Sequence, residues 1–165
     1  PRRGIGTAPG LRAEPALVAT LKLGYRMSDA AIAYSCESAV AGAIAQSGVP
    51  RSELFVVTKS WPFADMKGKD RSASKPTKDG PALLREFEAH LAALRMGYVD
   101  LLLLHWPTAR LQEHWEVLSS LRSRGLARAI GISNANAAHM AQLAGAAVQP
   151  AVVQAELGIA SHRIA

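Results

Sequence analysis

The stretch "VDLLLLHWP", Val99 to Pro107, decides how the rest of the chain is read. Four consecutive leucines suit a strand covered on both faces, which a parallel sheet between layers of helix provides. The run then ends in a titratable group, His105, followed by Trp106 and Pro107. A strand needed only for burial could end on any turn residue.

The neighbours of this strand have helical spacing. Upstream, "PALLREFEAHLAALRMG" puts Leu84, Phe87, Leu91 and Leu94 on one face, with Pro81 for the first turn and Gly97 for the stop. Downstream, "LQEHWEVLSSLRSRG" puts Leu111, Trp115, Leu118 and Leu121 or Arg122 on successive turns. Further out the pattern repeats. "ELFVVTK", "LARAIGIS" and "PAVVQAEL" read as strands. "ALVATLKLG", "ESAVAGAIAQSG" and "NAAHMAQLAG" read as helices. Strand and helix alternate throughout, which predicts an α/β class with a parallel sheet. Alternation alone does not choose between a barrel and a doubly wound sheet.

Bulk properties narrow the function classes. The 165 residues suffice for one domain with a sizeable core. The net charge of +6 suits an anionic ligand but identifies none. One cysteine, Cys36, rules out a disulfide within the chain and points to the cytoplasm or an organelle matrix. No apolar run approaches the roughly 18 residues of a membrane span. No metal is expected. The chain begins at Pro1 without an initiator methionine, which is read as processing or trimming. Residues 63–80, "FADMKGKDRSASKPTKDG", have no apolar period and read as a long basic loop insertion. A solvated surface loop is the plain reading, and a basic lid over an anionic ligand the sharper one. No aromatics interleave with its charges, which disfavours nucleic-acid binding.

In parallel α/β folds, function gathers at the carboxyl ends of strands. Here those ends carry Asp29, Lys59, His105, Ser133 with Asn134, and Gln154. Each has a plain alternative. Asp29 and Lys59 could be a simple ion pair, Tyr34 and the tryptophans packing residues, and Asn134 a helix cap. Core packing does not explain why every readable strand ends in a reactive or hydrogen-bonding group.

These residues fall in motifs. "GYRMSDAAIAYSCE", "FVVTKSW", "VDLLLLHWP", "ARAIGISN", "PAVVQAEL" and the opening "GIGT" resemble, in order, motifs of the aldo-keto reductase family, "GIGT" standing first as its opening hairpin. The resemblance implies a (β/α)8 TIM-barrel type of fold with NADP(H) at the carboxyl face. It implies a reductase that transfers hydride from NADPH to a small-molecule aldehyde or ketone. Tyr34 would be the general acid, supported by Lys59 and Asp29, with His105 orienting the carbonyl. Thr7, Asp29, Ser133, Asn134 and Gln154 would hold the cofactor. Trp61 and Trp106 would line the substrate pocket. A nearby Lys59 ammonium is expected to lower the pKa of Tyr34 from about 10.

The pattern also departs from the family. Ala30 and Cys36 replace a Thr and an Asn, Ala8 a frequent Trp, and "LGIASHRIA" follows Glu156. Val152 to Leu157 match the family's sixth strand, so residues 1–165 are expected to form a single partial barrel, truncated after that strand. Three readings stay open there: a longer chain, a protein partner covering the open edge, or a degenerate fold. The rival to the enzyme is a catalytically silent, barrel-derived subunit of a larger assembly.

Overall fold

The computed structural model describes residues 4–7, 14–64, 77–158 and 161–162. Six strands form one parallel sheet in sequential order: β1 (Gly4–Gly6), β2 (Met27–Asp29), β3 (Phe55–Ser60), β4 (Val99–Leu104), β5 (Ala127–Ser133) and β6 (Val153–Gln154). Helices α1 (Glu14–Lys22), α2 (Glu37–Ser47), α3 (Gly80–Ala93), α4 (Leu111–Ser123) and α5 (Ala137–Leu143) lie between successive strands. This is a curled part of a (β/α) barrel. A short antiparallel ribbon, β7 (Leu157–Gly158) with β8 (Ser161–His162), follows it. Gly4–Gly6, read above as an opening hairpin, pairs parallel with β2 and is the first strand of the sheet.

All six residues of β4 are buried, as the leucine run required. The pleat divides them. Leu101 and Leu103 face the sheet interior with Val57, while Leu102 and Leu104 join Phe87 and Leu118 under the helices. The same alternation sends Lys59 inward and Thr58 outward. At the amino end, Asp100 is buried but fully engaged. Its carboxylate accepts from Val56 N at 2.9 Å, Arg51 Nη2 at 2.7 Å and Arg128 Nη1 at 3.2 Å. The two guanidiniums also pack on the ring of Tyr98 at 4.2 and 4.1 Å.

Some local expectations shift. In α3 the deepest apolar residue of the first turn is Leu83, with Leu84 partly buried. That helix starts on Asp79, whose side chain accepts from Ala82 N, and it is followed by Arg95 in the left-handed region (φ 54°), so Gly97 is not its stop. In α4 the buried residue of the last turn is Leu121, not Arg122. Strand β6 is shorter than the stretch 152–157 read from sequence. It pairs only where β5 still runs, Ile132 with Val153 and Ser133 with Gln154. Most of the basic loop, residues 65–76, lies outside the described residues. Its two ends meet in an antiparallel bridge between Phe63 and Thr77. Among the described residues, no helix is long and apolar enough to cross a membrane.

Candidate active site

The carboxyl ends of the six neighbouring strands converge on one rim. Lys59, 3% exposed at the end of β3, forms an ion pair with Asp29 of β2 and also donates to Ala30 O at 3.2 Å. From β6, Gln154 Nε2 donates to the other carboxylate oxygen, Asp29 Oδ2, at 3.0 Å. Strands four apart in a flat sheet would stand about 19 Å from each other. The Gln154–Asp29 bond therefore requires the curl, and the curl makes the rim a single site.

Tyr34 sits on the short 3-10 turn Ile32–Tyr34, between β2 and α2. That turn ends at Ser35 in the left-handed region (φ 49°). Lys59 Nζ stands 5.3 Å from the centre of the Tyr34 ring. The His105 ring meets Tyr34 edge-on at 5.8 Å, and Trp61 at 5.3 Å. Trp106 stacks near His105 at 6.5 Å and 23°. Trp61 is 2% exposed, so it backs the histidine from the core, whereas Trp106 is half-buried.

Asn134 is in the left-handed region (φ 58°) just past β5. Its Nδ2 donates to His105 O at 2.9 Å and to Ser133 Oγ at 3.2 Å, and its backbone N to Gln154 O at 2.9 Å. The helix-cap alternative for Asn134 fails, because Asn136 caps α5 in a reciprocal box with His139. Thr7 Oγ1 donates to Asp29 O at 3.1 Å and lies 3.2 Å from Cys36 Sγ. Thus Thr7, Asp29, Tyr34, Lys59, His105, Ser133, Asn134 and Gln154 gather at one end of the sheet.

Electrostatics correct one expectation. The phenol of Tyr34 is held above its ordinary value of 10.0, first by burial, then by the Asp29 charge and Cys36. Burial and the Asp29 charge outweigh any downward pull from the Lys59 ammonium, which is paired with Asp29. Burial also pushes the Cys36 thiol up.

The residues present fit a nicotinamide carboxamide. Among the described contacts, Asn134 engages its amide N–H groups, leaving its carbonyl oxygen as an acceptor, and Ser133 accepts from Asn134 while keeping its own O–H to donate. A carboxamide offers the complementary donor and acceptor. One buried group escaped the sequence reading. His90, between Phe87 and Leu91 on the apolar face of α3, joins Glu37 and Thr58 behind the rim. A histidine set into an apolar helical stripe was the available signal.

The model of the aldo/keto reductase family matches residues 9–165. An aldo-keto reductase of Mycolicibacterium vanbaalenii is 39% identical over 158 residues, 93% of this chain and 52% of that protein. Among solved structures, an aldo-keto reductase from a Medee basin deep-sea metagenome library superposes with a TM-score of 0.79 at 33% identity, covering 93% of this chain and 53% of that one. The Bombyx mori aldo-keto reductase in complex with NADP gives a TM-score of 0.77 at 28% identity, covering 95% and 54%. The chain spans about half the length of these relatives.

Proposed function

The chain belongs to the aldo-keto reductase family, and from that premise we propose that it carries the catalytic rim of an NADP(H)-dependent oxidoreductase reducing an aldehyde or ketone to the alcohol. The observation that carries this reading is the buried Lys59–Asp29 pair standing beside Tyr34 and His105 at the carboxyl ends of adjacent strands.

NADPH, when bound, supplies the hydride. The chain's own residues supply the rest. Tyr34 gives its proton to the carbonyl oxygen. The phenol keeps its proton at neutral pH, the form a donor needs, while the burial that raises its value makes it a weaker acid until substrate and cofactor change its surroundings. Asp29 fixes Lys59 and keeps a charge pair beside the phenol ring in a desolvated site. His105, held by its neighbours Trp61 and Asn134, hydrogen-bonds and orients the substrate carbonyl. Ser133 and Asn134 fix the carboxamide, and with it the face of the ring presented to substrate. Gln154, its Nε2 engaged by Asp29, would offer its Oε1 to the carboxamide N–H groups. Thr7 holds the backbone of Asp29. Trp106 forms the open wall of the pocket and Trp61 its backing.

Two further elements belong to this reading. The single cysteine is a buried free thiol, in keeping with a reducing compartment such as the cytoplasm. Val152 and Val153, 39% and 47% exposed at the β6 edge, are apolar surface that a further protein segment or partner would cover.

The test is NADPH binding, followed by its consumption with a generic aldehyde. Expected are quenching of tryptophan fluorescence and turnover that drops about 10²- to 10⁴-fold in Tyr34→Phe. Absence of NADPH binding by the natural protein, or unchanged turnover in Tyr34→Phe, sinks the reading.

A further inference from the structure

Thr58 and Lys59 are neighbours on β3, and the pleat turns them to opposite faces. Lys59 reaches Asp29 in the rim. Thr58 points out under the helices and is fully buried. There its Oγ1 lies 2.7 Å from His90 Nε2, and His90 Nδ1 lies 2.8 Å from Glu37 Oε1. Glu37 is the first residue of α2, and only Ser35 and Cys36 separate it from Tyr34. Three side chains therefore connect the back of the lysine strand to the end of the tyrosine turn.

We infer that His90 is a positioning residue, which fixes the turn carrying Tyr34 against the strand carrying Lys59 by bridging Glu37 and Thr58. The inference rests on Tyr34 and Lys59 being the working pair proposed above.

Hydrogen-bond chemistry leaves one arrangement. The Glu37 carboxylate only accepts, so His90 Nδ1 must carry the proton and donate to it. Neutral Nε2 then accepts from the Thr58 hydroxyl. Both ring nitrogens of His90 and the Thr58 hydroxyl are engaged along this bridge, which stiffens it. Burial favours the neutral ring and holds its pKa below the ordinary 6.5, against the pull of Glu37 from α2 and Glu86 from its own helix. Protonation would bury a cation and force the Thr58 hydroxyl to turn. Replacing the ring with an apolar group would leave Glu37 and Thr58 without their common partner. The tyrosine turn, already ending in a left-handed serine, would then be free to drift from Lys59.

The test reads Tyr34 directly and needs no turnover. In a Tyr25→Phe, Tyr98→Phe background, Tyr34 is the remaining tyrosine, and its ultraviolet titration is followed. Expected is a fall of about half a pH unit or more in His90→Phe, because a turn that drifts loses part of the burial and of the Asp29 charge that hold the phenol up. His90→Gln, which offers both a donor and an acceptor, should restore the original midpoint. Thr58→Val, close in volume, should shift it in the same direction and covers the case in which His90→Phe does not fold. Nitrogen NMR should show the His90 proton on Nδ1. An unshifted Tyr34 titration in a folded His90→Phe or Thr58→Val protein, or a proton on Nε2, overturns the inference and leaves His90 a packing residue. A shifted titration without NADPH turnover overturns the reductase reading while the coupling stands. Turnover with an unshifted titration overturns the coupling alone.

Discussion

Lys59 and Asp29 show how a buried charge pair is held at this rim. Lys59 is nearly inaccessible, and its partner Asp29 is also bonded by Gln154. Removing Asp29 leaves Lys59 desolvated without its counter-charge, and removing Lys59 leaves the Asp29 carboxylate with Gln154 alone, losses that typically cost up to about 3–5 kcal/mol. Lys59→Met and Asp29→Asn should each destabilise strongly. The double variant should be more stable than the sum of the two losses predicts, as urea unfolding of the four proteins in the cycle would show. A second expectation concerns proton supply. With the Tyr34 phenol held above 10.0, reduction of a generic aldehyde should lose no activity through Tyr34 between pH 7 and about 9. A rate of NADPH oxidation that already falls with an acid of pKa near 8 would contradict this. Most residue types at the rim were legible in the sequence because they end strands, while Tyr34, on the turn after β2, was legible only through its motif. The direction of the Tyr34 shift was not. It depends on burial and on where Lys59 spends its contacts, and both are tertiary properties. Asn134 and Asn136 make the same point: either could have capped α5, and only the backbone shows that Asn136 does.

Elements were legible where the pattern was long. The buried run of β4 and the faces of α3 and α4 follow from apolar spacing. Boundaries followed less well, because partners decide them. Strand β6 ends level with β5, the last bond of their ladder running from Asn134 N to Gln154 O. The α3 helix gives way at the left-handed Arg95 although a glycine stands two residues later, so the local preference for glycine does not set this boundary. The β5–β6 pairing is itself tight. A Cβ at Gly131 would collide with the backbone oxygen of Val152 and lie 2.7 Å from Leu103 Cδ2. Val152 O is also the acceptor for Ile132 N at 3.0 Å. Gly131→Ala should therefore push β6 outward, costing about 1–3 kcal/mol, and weaken NADPH binding by displacing Gln154. Denaturant unfolding and a cofactor titration would check both effects. Unchanged stability would show that β6 gives way freely. At the opposite end, Asp100→Ala should cost about 3 kcal/mol, because it strips the partner from two guanidiniums and from Val56 N.

Across the whole molecule, reactive groups line the sheet interior while the helix layer outside it holds two fully committed histidines. His90 bridges α2 and β3. His114 of α4 lies within 2.8 Å of Lys78 O through Nε2 and 3.2 Å of Thr108 Oγ1 through Nδ1. The two tie helices to strands and loops across most of the fold. Burial is the first cause that lowers both pKa values from 6.5. The unfolded chain, by contrast, takes up those protons near 6.5. As pH falls below that value the unfolded state binds more protons than the folded one, so stability must drop until the folded values are passed. Above pH 7 the slope from these two histidines fades toward zero. The melting temperature should thus be level from pH 7 to 8 with respect to these groups and fall toward pH 5. His90→Gln combined with His114→Gln should flatten the acid side, even if it lowers the plateau. An equal acid slope in the doubly substituted protein would assign the loss to the carboxylates instead, and would mean that the two histidines are free to protonate within the fold.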